Sequence, residues 1–210
     1  MPETDGRRQR SLRTRALIVE AATRLFLERG YLGTTIEAVG EAAGVATQTV
    51  YYVFSTKPNL LAAVLDASIA GDDEPIALLD RSWFDAMESE ADAAAAIDRL
   101  VTASVAIIAR AAPIYEVVRR AAADPEVGAL LDDNRRRRRD DQRRLVEVLQ
   151  RSGHLRTDLG VDEGADIFYA LLNEEVFLLL TADCAWNVDR FRRWATTAMA
   201  HELVGRPRPA

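Results

Sequence analysis

The sequence predicts an all-α protein of about nine helices, the first three short and closely spaced. Apolar residues recur at steps of three and four through almost every segment, and no convincing strand alternation interrupts them. Glycine and proline fall between these segments at positions that stop or start helices. With 210 residues, 49% of them hydrophobic, the chain can bury a core and is too apolar to be disordered.

The first helix is expected from Arg13 to Arg29, with Leu17, Ile18, Ala21, Ala22, Leu25 and Phe26 on one face and Gly30 as its stop. Thr34 and Glu37 have capping-box spacing and open a short second helix, with Ile36, Val39 and Ala43 inward and a stop at Gly44. The third runs from Thr47 to Val53, with Val50 and Phe54 toward the core. Ser55-Thr56-Lys57-Pro58 supplies a hydroxyl cap and a first-turn proline for a fourth helix that continues to Ala70. After the break at Gly71 to Pro75 come a short helix near 75–81 and a long one over 91–111. Pro113 and Pro125 punctuate helices over 113–123 and 125–152, and two final helices cover 162–182 and 187–204. The resulting divisions are a flexible basic arm (1–10), a helix-turn-helix domain (11–57), a helical domain (58–204) and a tail (205–210).

Composition narrows the function. Net charge is −6, yet residues 1–60 carry eight basic groups against six acidic ones, so a polyanion would meet the N-terminal end. Cys184 is the lone cysteine and fits a reducing cytoplasm. No apolar segment follows the early arginines as a secretory signal would require, and the longest apolar runs, such as Val176 to Leu180, are too short to span a bilayer. No membrane partner is expected. His154, His201 and Cys184 have no metal-ligand spacing, and neither a phosphate loop nor a nucleophile elbow is present. The chain is expected to be no enzyme and to need no cofactor.

Residues 34–54 have the arithmetic of a helix-turn-helix: a capped helix, a tight Ala-Gly-Val turn and a second helix anchored by Val45 and Val50. Ala42 and Ala43 allow the two helices to cross closely. Ala46, Thr47, Gln48, Thr49, Tyr51 and Tyr52 are left for the outer faces. Gln can pair with adenine through two bonds, Thr and Ala methyls suit the thymine methyl, and Tyr hydroxyls suit phosphate.

Residues 11–60 resemble the DNA-binding domain of the TetR family of bacterial repressors. The resemblance rests on Ala21-Ala22, Leu25-Phe26, Gly30, Thr34-Thr35, Ala42-Ala43-Gly44-Val45, Thr49, Tyr51, Phe54, Lys57 and Leu60. It implies a homodimer that binds a palindromic operator in double-stranded DNA, with a helical ligand-binding and dimerisation domain behind. It also implies that Thr34, Tyr51 and Lys57 hold phosphates while Thr47, Gln48 and Tyr52 face bases. Thr35, Ala46 and Thr49 complete the expected DNA-binding set. Ala46 departs from the family, which often has a capping Ser there, and Gln48 stands where Gly is frequent.

The resemblance places a ligand cavity among the helices spanning 92–182. Large side chains near it are Trp83, Phe84, Met87, Ile108, Tyr115, Phe168, Tyr169 and Leu172, with Arg110, Asn173 and Glu174 as polar candidates. Such a cavity suits a lipophilic or aromatic effector. The last two helices are where such proteins dimerise. Phe177, Phe191, Trp194 and Ala198 are the expected interface residues, although the same stripe could pack inside the monomer. The arginine run 135–139, flanked by Asp pairs, reads as a solvated, self-paired helix face. Arg7, Arg8 and Arg10 suit either a DNA-tracking arm or a solubilising tail. The expected function is a ligand-released repressor. The alternative is a helical ligand-binding or scaffolding protein that no longer binds DNA.

Overall fold

The computed structural model describes residues 3–71 and 89–204, and every regular element among them is helical. The expected helix near 75–81, the candidate residues Trp83, Phe84 and Met87, and the 205–210 tail lie outside the described residues. The elements are α1 (Glu3–Gly33), α2 (Ile36–Ala43), α3 (Thr47–Phe54), α4 (Lys57–Ala70), α5 (Ala93–Ala121), α6 (Pro125–Arg151), α7 (Val161–Leu171), α8 (Glu174–Leu178, continued by a π-helical turn over Leu179–Asp183) and α9 (Val188–Met199, continued over Ala200–Val204).

Two compact units result. The first comprises residues 1–74 and 113–132, the second 75–112 and 133–210. The packing does not divide at residue 57, because α4 completes the core of the first unit. Leu60, Leu61, Val64 and Leu65 are buried together with Ile18, Phe26, Val39, Val50 and Phe54. Ile114, Tyr115, Val118, Val127 and Leu131 join the same core. In the second unit, Ile97, Leu100, Val101, Val105, Leu149, Phe168, Leu172, Phe177 and Phe191 are among the buried residues.

Several boundaries differ from expectation. α1 starts at Glu3, ahead of the expected Arg13, and its regular path ends at Gly30, where φ is 70° and ψ 176°. Pro113 does not separate two helices; α5 runs through it. A proline removes one helical hydrogen bond, but buried side chains at Ile108, Ala112, Ile114 and Tyr115 continue on both sides of it. The two units divide at this proline. α5 is also long and apolar enough to cross a membrane by length and composition, contrary to the sequence expectation. Its apolar residues Ile97, Leu100 and Val101 are fully buried in the core, which accounts for that composition.

The expected 162–182 helix breaks at Leu172 (φ −117°, ψ 85°). Asn173 caps the next segment by accepting from Val176 N–H at 2.7 Å, and Gln142 Nε2 donates to the freed Leu172 carbonyl at 3.0 Å. The arginine run is only partly self-paired. Arg136 and Arg137 pair with Asp133 on their own helix. Arg135 meets Glu175, Arg138 meets Glu174, and Arg139 meets Asp166, all beyond that helix. Cys184 is exposed.

Candidate nucleic-acid interface

α2 begins with Thr35, whose hydroxyl accepts from Ala38 N–H at 3.1 Å. The expected cap, Thr34, is instead almost wholly buried, and its hydroxyl is within bonding distance of the Leu25 carbonyl at 3.0 Å and the Gly30 carbonyl at 2.8 Å. Thr34 therefore ties the α1 kink to the start of α2 and does not reach a phosphate. Thr35 is exposed and keeps its place in the set.

The turn depends on two glycines. Gly44 adopts the left-handed conformation (φ 66°, ψ 32°), and its N–H bonds to the Glu41 carbonyl at 3.1 Å. Gly40 is buried where α2 approaches the start of α3, and a Cβ there would lie 3.1 Å from the Val45 carbonyl oxygen and 3.4 Å from Thr47 Cα. The close approach thus comes from Gly40; Ala42 is exposed. Sequence reasoning passed over Gly40 because a glycine inside a helix usually signals only weakness.

Val50 and Phe54 are buried and fix the orientation of α3. Its outward positions are then set by the helical step. Ala46, Gln48, Tyr51 and Tyr52 are exposed, Tyr52 to 90%, while Thr47 and Thr49 are half-buried. Exposed amide, methyl and phenol groups on one short helix are the side-chain types that read base edges and touch phosphates. Ala46 is the N-cap residue and offers no side-chain bond, so α3 starts without hydroxyl capping. Ala46→Ser restores a capping oxygen and is expected to raise stability by about 1 kcal/mol, read as a higher urea midpoint. An unchanged midpoint would mean that water already satisfies that turn.

Lys57 opens α4 behind the Thr56 cap, which accepts from Asn59 N–H at 3.2 Å. Its ammonium lies over the Tyr31 ring, 4.1 Å from the centroid. Burial pulls the lysine pKa down, and the negative charge of Asp124 opposes that shift. Tyr31 is shifted upward, first by burial and then by Asp124 and Glu126. Tyr31 was not among the expected site residues. Its spacing from Lys57 in sequence carries no signal, and only the fold brings them together.

The ligand set is scattered. Ile108, Phe168 and Leu172 are buried in the second core, whereas Tyr115 is buried in the first. Tyr169 is half-buried with the Arg138 guanidinium 4.8 Å from its ring centroid. Asn173 is used as a helix cap, Glu174 is ion-paired to Arg138, and Arg110 is exposed. A cavity of about 560 Å³ lies elsewhere, in the first unit, between the α1 kink at Phe26–Leu32 and the face of α5 bearing Pro113, Glu116 and Val117. Of the interface set, Phe177 and Phe191 are buried in contact with each other, with ring centroids 5.1 Å apart. Trp194 and Ala198 are half-buried.

The N-terminal segment and the fold of the chain both have known counterparts. Residues 18–64 match the family described as bacterial regulatory proteins, tetR family. The HTH-type transcriptional regulator TtgR of Pseudomonas putida is 44% identical over 54 residues, 26% of this chain and 26% of that protein. The match thus spans about a quarter of the length of that curated relative. Solved structures extend the likeness across the chain at the level of fold. The transcriptional regulator FadR from Bacillus subtilis, in complex with stearoyl-CoA, superposes with a TM-score of 0.67 at 15% identity, covering 91% of this chain and 99% of that one. A protein from Saccharomonospora viridis in complex with choline gives a TM-score of 0.67 at 23% identity, covering 91% and 98%.

Proposed function

We propose that this chain, a member of the TetR family through its N-terminal module, is a transcriptional repressor that binds a palindromic operator as a homodimer and is released by a small effector. The carrying observation is α3 itself, held by buried Val50 and Phe54 with Gln48, Tyr51 and Tyr52 exposed. Thr47, Gln48 and Tyr52 face bases; Thr35 and Tyr51 touch phosphates, and Lys57 supplies a cation beside them. Paired recognition helices read half-sites about 34 Å apart, one turn of the duplex. Effector binding favours a dimer state in which that spacing is lost. The regulator works in the cytoplasm, where the DNA lies.

The effector is a small molecule taken up by the second unit; among similar folds, one holds stearoyl-CoA, with its long acyl chain, and another the small cation choline. Phe168, Leu172 and Ile108 are the side chains through which such a molecule is sensed. Trp194 and Ala198 are the remaining interface candidates.

Substitution separates the proposed roles. Gln48→Ala is expected to cost about 1–3 kcal/mol at one base position and to leave binding to unrelated sequences unchanged. Lys57→Ala is expected to weaken binding to all sequences alike and to reduce the salt slope by about one. Competition titrations with single-base operator variants check both. Equal losses for the two variants on every duplex would contradict this division.

The non-DNA-binding alternative draws on one observation: Thr34, an expected phosphate contact, is buried. It predicts no retention of duplex at low salt.

A further inference from the structure

We propose that Tyr31 is a positioning residue for Lys57: its ring seats the lysine ammonium where DNA phosphate would meet it. This rests on the DNA-binding reading above. Lys57 is the lone lysine among 27 basic residues. It stands at the N-terminal end of α4, where the helix dipole opposes a cation, so something else has to hold it. The Tyr31 ring does so, with Nζ 4.1 Å from the centroid.

The seat itself is firm. Tyr31 is only 7% exposed, and its ring stacks on Phe26 with centroids 6.2 Å apart and planes 26° from parallel. The kink at Gly30 turns the chain so that Tyr31 leaves the regular path of α1. Both residues belong to the first unit. The proposed phosphate contact is therefore held by an aromatic ring that lies before the helix-turn-helix in sequence.

The test measures binding of a fluorescein-labelled random-sequence duplex across a salt series for the wild type and for Tyr31→Leu, Tyr31→Phe and Lys57→Ala. Tyr31→Leu is expected to reduce the slope of log affinity against log salt by about 0.9, as Lys57→Ala does, because one phosphate contact is lost. It adds no further change in the Lys57→Ala background, and Tyr31→Phe, which keeps the ring, retains the wild-type slope.

A Tyr31→Leu protein with less active material but the wild-type slope would show a merely structural role and overturn the proposal. So would a Tyr31→Phe protein with the reduced slope of Lys57→Ala. If Tyr31→Leu does not fold, the ε-methylene protons of Lys57, the lone lysine, still decide: an upfield ring-current shift is expected in the wild type, and an unshifted resonance would overturn the proposal. Wild-type protein that binds no duplex at low salt would overturn the DNA-binding reading and this inference together, a pattern distinct from the others.

Discussion

Glu174→Ala lowers the stability of the second unit by about 3–5 kcal/mol, the loss expected when a buried ion pair is broken from one side. The Glu174 side chain is 5% exposed and that of its partner Arg138 13%, so the guanidinium left behind has little water to replace the carboxylate. Glu175 lies 3.7 Å from Arg138 and is itself half-buried, which gives partial relief and favours the lower end of that range. Glu175→Ala, by contrast, is expected to cost about 1 kcal/mol or less, because Arg138 keeps Glu174 and the other partner, Arg135, is exposed enough to be hydrated. The double variant Arg138→Met with Glu174→Leu recovers most of the loss, since no unpaired charge then remains. Urea unfolding of the four proteins checks all three statements. A Glu174→Ala protein as stable as the wild type would mean that the pair is solvated and that the arginine run is a surface feature throughout.

Phe191→Ala destabilises the protein by about 3–5 kcal/mol through loss of buried surface and the cavity it leaves. Phe191 is fully buried, edge-on to Phe177 and with its centroid 5.6 Å from that of Trp194. Because the ring is interior to one chain, the loss is the same at low and high protein concentration. An interface residue would behave otherwise, with an effect that depends on protomer concentration. Unfolding of wild type and variant across a concentration series separates the two. An effect confined to dilute protein would return Phe191 to the dimer interface.

The fold was legible because the signals that mark helix ends are local. Gly30, Gly44, Thr56 and Pro58 each act within a few residues, and each sits where the structure ends or starts a helix. Hidden features were those decided by packing. Pro113 carries a strong breaker signal, but it does not break α5, whose buried face continues through it. Thr34 and Thr35 are adjacent hydroxyls with equal claims as a cap, and burial of Thr34 against the Leu25 and Gly30 carbonyls assigns the cap to Thr35. The break at Leu172 was the readable signal that was missed. Asn173 followed by Glu174 and Glu175 is a helix start with an acidic first turn.

The exposed face of α3 followed from period alone, since once Val50 and Phe54 point inward its outer positions are determined. The Lys57–Tyr31 contact did not, because it joins α4 to the α1 kink. Arg138 was masked by its neighbours. Five consecutive arginines cannot all face solvent on a helix with 3.6 residues per turn, and the one that turns inward finds Glu174.

The central claim is sequence-specific DNA binding, and its most direct measurement is selection of genomic fragments by the purified protein at low salt, with sequencing of what is retained. One enriched palindrome is expected, with half-sites centred about one helical turn apart. Retention of fragments without a shared sequence, or of none, would contradict it.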